Sequence, residues 1–198
     1  MKTMINIACL HAHYSNIAYI ERAFYSHTVQ LQHYVDPGVM WHIQRHQIEQ
    51  AKMQVENQLQ WIATTKPDVL VVTCTNYIAL MDASLSVPMI EIDVPFFKLL
   101  KQQKLPLTLF FTNSQTVEGT LKRLYTYVTR EVEVVVIPKA FDLLMAGDKV
   151  AHDKIVMAAL QDAPKNAAVA QLSMVDVAEK IGLLHPLMPL IEAILNNE

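Results

Sequence analysis

VLVVTCTNYIAL (residues 69–80) changes character in its middle. A valine-rich run stops at Thr73-Cys74-Thr75-Asn76, and the chain resumes with helix-like spacing. A run that is apolar at every position suits a strand covered on both faces, as in a parallel sheet. A strand followed at once by a helix is half of a βα unit, so the fold class turns on whether the pattern recurs.

It recurs along the whole chain. INIACL (5–10) and VQLQHYV (29–35) read as strands. One long amphipathic helix is expected from about Trp41 to Ala63, with Ile43, Ile48, Ala51, Val55, Leu59 and Ile62 at near-helical spacing. TTKPD (64–68) breaks it ahead of the valine run. A short helix is expected near Asn76, a strand at PMIEI (88–92), and a helix from Pro95 to about Gln103. In the second half LTLFF (107–111), VEVVVI (132–137) and AAVAQL (167–172) read as strands. Helices are expected from Ser114 to Val128, around 139–146 and 149–161, and from Met174. IGLLHPLMP (181–189) stands where a fourth strand belongs but carries Pro186 and Pro189, and LIEAILNN (190–197) reads as a terminal helix.

The two halves overlay by spacing. Ile5 to Leu107 is an offset of 102, Val29 to Val132 is 103, and Cys74 to Ser173 is 99. A duplicated βα unit is therefore expected. The fold class is α/β: two similar lobes, each a short parallel sheet flanked by helices, related by a pseudo-twofold with a cleft between them. Residues 1–94 form the cysteine-bearing lobe, with 186–198 packing on it as a C-terminal helix, and 95–185 form the serine-bearing lobe. Cys74 and Ser173 then occupy equivalent strand ends.

Composition narrows the function classes. A hydrophobic share of 52% against 18% charged residues indicates a folded chain with a sizeable core. A net charge of −3 without a basic, aromatic-interleaved patch argues against nucleic acid as a partner. The N-terminal MKTMINIACLHAHY lacks the pattern of a signal peptide, and no run of about 18 apolar residues predicts a membrane span. Two cysteines without a paired motif indicate reduced thiols, hence a cytoplasmic protein. Isolated glycines exclude G-x-G-x-x-G and P-loop signatures. No C-x-x-C or H-E-x-x-H occurs, and His42 with His46 at i, i+4 reads as part of a polar helix face, so no metal is expected.

The break at Cys74 admits two readings. One is a small buried hydrophobe at a strand end. The other is a reactive thiol where open parallel sheets bind ligands, outside the carboxyl ends of their strands. A helix N-terminus there lowers a thiol pKa, and Thr75 and Asn76 are cap residues able to hold an anionic group. Cys9, inside an apolar strand with no cap residue after it, reads as core.

TCTN (73–76), VDPGV (35–39), FTNSQTVEGTLKRL (111–124), AFDLLMAGDKVAHDKIV (140–156) and VAQLSM (169–174) together resemble the aspartate/glutamate racemase superfamily, and VDPGV and FTNSQTVEGTLKRL are similar to its hydantoin racemase-like branch. The resemblance covers nearly the whole chain. It implies two lobes with the site between them, no cofactor, and a small carboxylate-bearing substrate (amino acid, hydantoin or small diacid). It implies one cysteine from each lobe, one removing the α-proton while the other delivers a proton to the opposite face. A homodimer is compatible with it.

The chain departs from that pattern at Ser173, where the second cysteine belongs. An alcohol is a poor base beside a thiol, so one-cysteine chemistry stands as the alternative: stereospecific protonation, decarboxylation, addition to an unsaturated diacid, or a binder that has lost turnover. The resemblance makes Cys74 and Ser173 the catalytic candidates, with Thr75, Asn76, His11, Thr112, Asn113, Ser114 and Met174 around the substrate. His13, Asp36 and His152 are weaker candidates, each with an ordinary loop, turn or helix role as its alternative.

Overall fold

A computed structural model describes residues 4–82, 84–104 and 106–196. The terminal residues of the expected last helix, from Asn197 on, lie outside them. The chain divides into two units, one running to Val94 and taking in the chain from Ile194, the other Pro95–Ala193.

In the first unit β1 (Ile5–His11), β2 (Val29–Val35), β3 (Val69–Val72) and β4 (Met89–Glu91) form a parallel sheet in the order β2-β1-β3-β4. The central strands carry the apolar runs. Ile7, Ala8, Cys9 and Leu10 of β1 are fully buried, and every residue of β3 is buried, as strands covered on both faces require. Among the described residues this half carries the helices α1 (Asn16–Phe24), α2 (Gly38–Gln44), α3 (Ile48–Ala63) and the single turn α4 (Thr75–Ile78). Helix α1, with Tyr19, Ile20 and Phe24 buried, was not legible in the sequence pattern. The single long helix expected over 41–63 is two, because His46 takes a left-handed conformation (φ 57°) and turns the chain between them. His42 and His46 therefore do not share a helical face, and the premise for pairing them as ligands fails.

Helix α5 (Asp93–Gln102) leads across the boundary, with Pro95 in its first turn, where a missing N–H costs no helical bond. In the second unit β5 (Leu107–Phe111), β6 (Val132–Val136) and β7 (Ala167–Val169) form a parallel sheet in the order β6-β5-β7. A 3-10 turn (Ser114–Thr116) opens α6 (Val117–Leu124), so the helix expected from Ser114 starts later and ends earlier. Helices α7 (Ala140–Met145) and α8 (Lys149–Leu160) follow β6, and a second 3-10 turn (Leu172–Met174) opens α9 (Val175–Ile181) after β7. Alternate strand residues feed two cores. Leu107, Leu109 and Phe111 pack with Phe96, Phe97, Leu100 and Leu124, while Phe110, Ala167 and Val169 pack with Val156, Leu160, Val177 and Ala178. That is a sheet covered on both faces.

Phe111 is fully buried among aromatic neighbours. Phe111→Ala is expected to destabilise the fold by about 3–5 kcal/mol, read as a shifted urea midpoint with an unchanged slope.

The fourth strand of the second sheet is reduced to one parallel bridge, Ala168 with Leu184. Gly182 ends α9 in a left-handed conformation (φ 73°), which only glycine adopts without strain, and turns the chain back to that bridge. Pro186 cannot extend the ladder, and α10 (Leu187–Leu195) begins directly after it.

Register makes the duplication quantitative. Ile7 pairs with Val69 in the first sheet and Leu109 with Ala168 in the second, offsets of 102 and 99. Leu70 N–H donates to Pro88 O and Val169 N–H to Leu184 O, both at 2.9 Å, so equivalent donors 99 residues apart meet acceptors 96 residues apart at the fourth position. Counting on from either strand, Cys74 and Ser173 fall at the same place in their own sheets.

Candidate functional site

The valine run of β3 ends at Val72, and Thr73 crosses to Cys74, which is extended (φ −110°, ψ 117°) and caps α4. The Cys74 carbonyl accepts the N–H groups of Tyr77 and Ile78, each at 3.1 Å. Cys74 is a free cysteine, half-buried as a whole residue, with its sulfur turned into the protein. Its acidity runs against the sequence expectation. Burial pushes the thiol up to about 11, and the Asp93 carboxylate adds to the rise, while the N–H groups of Tyr77 and Asn76 pull it down without prevailing. A helix of four residues has little macrodipole to offer, so desolvation wins. At neutral pH Cys74 therefore carries its proton.

A raised pKa keeps the thiol protonated to higher pH, so the alkylation rate of Cys74 by iodoacetamide is expected to go on rising through pH 9 toward about 11. Peptide mass spectrometry reads the site. A rate already level below pH 8 would contradict this. Cys9 is fully buried, its thiol pushed up to about 12 chiefly by burial, and it should react only on unfolding.

Beside Cys74, Thr73 ties the strand ends together. Its hydroxyl donates to Leu10 O at 3.1 Å, lies 2.8 Å from His11 Nδ1, and accepts from Asn16 Nδ2 at 3.3 Å. His11 Nε2 meets His33 Nδ1 at 2.9 Å, and His33 Nε2 meets Glu21 Oε1 at 3.1 Å. His11 is fully buried, and burial followed by the facing His33 pushes its pKa down to about 3. Both of its ring nitrogens are engaged inside the protein. Thr75 and Asn76 are partly exposed beside the thiol, and Asn76 Nδ2 reaches Met40 Sδ at 3.5 Å.

The equivalent strand ends of the second unit are built around Gln171. The Gln171 Oε1 accepts from Thr112 N (2.7 Å), Thr112 Oγ1 (2.8 Å) and Asn113 N (3.1 Å). Its Nε2 donates to Thr116 Oγ1 at 3.3 Å, and that hydroxyl donates to Asn113 O at 2.8 Å. Asn113 Oδ1 caps the turn by accepting Gln115 N at 3.0 Å, so the Ser114 side chain, which is exposed, is not the cap. Ser173 lies in the turn after β7 and is buried. Met174, expected beside the substrate, is instead fully buried in the apolar core, and its N–H donates to Gln171 O at 3.2 Å.

No family model matches the sequence, and no curated protein matches it. Solved structures do match. An aspartate racemase from Picrophilus torridus matches with a TM-score of 0.71 at 11% identity, over 91% of this chain and 87% of its own. A glutamate racemase from Campylobacter jejuni gives 0.69 at 11% identity, over 98% and 86%. A glutamate racemase from Francisella tularensis, in complex with D-glutamate, gives 0.65 at 9% identity, over 98% and 82%. The chain has the aspartate/glutamate racemase fold. Identities near one in ten attest the course of the backbone; the side chains must speak for themselves.

Within the racemase fold some residues take roles that sequence reasoning did not foresee, while Asp36, His13 and His152 take the ordinary turn, loop and helix roles. Gln171 is the main unforeseen one: its carboxamide oxygen accepts the Thr112 and Asn113 N–H groups at the end of β5. Its partners lie nearly 60 positions away, so no local signal marks it. Asp36 is a turn residue: Oδ1 accepts Gly38 N at 2.7 Å and Oδ2 accepts Gln54 Nε2 at 2.9 Å, while its carbonyl accepts the Tyr77 hydroxyl. His13 turns onto Ser15 Oγ (2.8 Å) and stacks obliquely on Tyr14. His152 is fully buried on α8, its Nδ1 2.8 Å from Asp153 Oδ1, and Asp153 also receives Lys149 Nζ at 2.7 Å. Among the described residues no helix is long and apolar enough to cross a membrane.

Proposed function

We propose that the protein is a cofactor-independent isomerase of racemase type, moving a proton at the carbon alpha to a carboxylate in an amino acid, hydantoin or small diacid. Cys74 is the proton-carrying group. The observation that supports this above all is a half-buried free cysteine at the carboxyl end of the central strand β3, with Ser173 at the register-equivalent position of β7. The fold is shared with proteins named for aspartate and glutamate racemisation.

The direction of the thiol pKa shapes the chemistry. A thiol held protonated at pH 7 is set up to give its proton to an enolate-like carbon on one face. Becoming the base requires a neighbour that favours the thiolate, and the Asn76 and Tyr77 N–H groups are the ones at hand. Ser173 offers a hydrogen bond in place of a second thiol. The reading is therefore one-sided proton transfer with Cys74 as donor, Thr75 and Asn76 beside it holding the carboxylate, and Thr112, Asn113 and Ser114 serving the second strand end.

A specific observation favours a second reading, a carboxylate binder or single-cysteine decarboxylase. The Thr112 and Asn113 N–H groups already donate to Gln171, so a substrate anion must displace that carboxamide or bind elsewhere. Incubation in deuterium oxide with a panel of amino acids, hydantoins, unsaturated diacids and substituted malonates separates the cases. Loss of the α-proton signal on at least one member of the first three classes is expected. A thermal shift without exchange supports the second reading, because a ligand that binds only the native state raises Tm without turnover. Neither exchange, decarboxylation nor shift across the panel would end both.

A further inference from the structure

We propose that Cys9, His11 and His33 form a binding site for a thiophilic d10 cation, zinc(II) in the first instance, built across β1 and β2. Cys9 and His11 are two residues apart and so share a face of β1, and His33 is registered opposite Cys9 on the parallel neighbour β2. The thiol sulfur and one nitrogen of each ring all lie within 4.8 Å of one another.

The outer hydrogen bonds turn both rings the same way. When Thr73 donates its hydroxyl to Leu10 O at 3.1 Å, it takes a hydrogen from His11 Nδ1 at 2.8 Å. A carboxylate only accepts, so His33 Nε2 donates to Glu21 at 3.1 Å. With one hydrogen per ring, both inner nitrogens then present lone pairs to each other across 2.9 Å. Two facing lone pairs need something positive between them, a cation or an extra proton. Outer ring N–H groups held by a hydroxyl and a carboxylate are the support that metal-bound histidines have.

The donor set selects the ion. One thiolate and two imidazoles, with no carboxylate among the ligands, suit zinc or copper(I) and disfavour magnesium and calcium. Tetrahedral zinc places its nitrogen and sulfur donors roughly 3.3–3.6 Å apart, so the rings need to separate by roughly half an ångström. Binding exchanges the Cys9 S–H bond for a sulfur–metal bond and releases one proton to solvent. The ion, the thiolate and the Glu21 carboxylate then sum to no net charge. His33, partly exposed on the edge strand, offers the way in.

The test is cobalt(II) added to the metal-stripped full chain, followed by zinc(II). One equivalent should bind, with a near-ultraviolet thiolate-to-cobalt charge-transfer band and visible tetrahedral bands, both erased by zinc. Cys9→Ser should remove the charge-transfer band, His33→Gln should weaken binding by about 100-fold or more, and Cys74→Ser should leave the spectrum intact. His33→Gln lies on the edge strand and keeps the test available if Cys9→Ser fails to fold. No charge-transfer band in the wild-type protein means that a proton alone bridges the rings, which overturns the proposal. So does a band that survives Cys9→Ser or is lost in Cys74→Ser, or affinity unchanged in His33→Gln.

Discussion

Cys74→Ala is expected to lower α-proton exchange by about 10²–10⁴-fold, the range for loss of a positioned acid–base group. The fold should hardly notice. The Cys74 carbonyl, not its side chain, closes the turn of α4 onto Tyr77 and Ile78, and those bonds survive the substitution. Removing the sulfur costs roughly 1 kcal/mol of burial, so Tm should move by a few degrees at most. Cys74→Ser should lose nearly as much activity, because it keeps a hydrogen-bonding group of similar size but is a far weaker acid. Loss of exchange with Tm kept separates a chemical role from a structural one. Both variants retaining more than about a tenth of wild-type exchange would remove Cys74 from the mechanism.

Why was so much of the fold legible in the sequence, and so much of the site not? The strands were readable because β3, β5 and the core of β1 are buried on both faces, and such strands must be apolar throughout. The register-equivalence of Cys74 and Ser173 followed from spacing alone, since a strand's length and pairing fix where it ends. Helix α1 was missed although its buried Tyr19, Ile20 and Phe24 share one helical face. The break at His46 was missed because a left-handed residue other than glycine announces nothing. Site chemistry depends on pairs far apart in the chain. Gln171 on Thr112 and Asn113, and His11 on His33 and Thr73, exist only once the sheets have registered. The choice between the two readings of Cys74 was hidden for a related reason: a cap residue is visible in sequence, whereas the desolvation that raises the thiol pKa is not.

Ser173→Cys is expected to change the stereochemical course. If Cys74 serves one face of the α-carbon, the wild-type protein should exchange deuterium with retention of configuration and scramble it slowly. If position 173 meets the other face, a thiol there supplies it with an acid–base group, and the rate of inversion should rise by at least about 10-fold. The substitution enlarges a buried side chain in the turn before α9, so a cost of about 1–3 kcal/mol from overpacking is expected. That cost is read separately in the urea midpoint. Chiral chromatography of deuterated product distinguishes the outcomes: inversion gained with exchange kept assigns the missing second group to position 173. Exchange kept with no gain in inversion would mean that Ser173 does not face the substrate. The duplicated strand ends would then be a legacy of the fold, and Cys74 would act without a partner from β7.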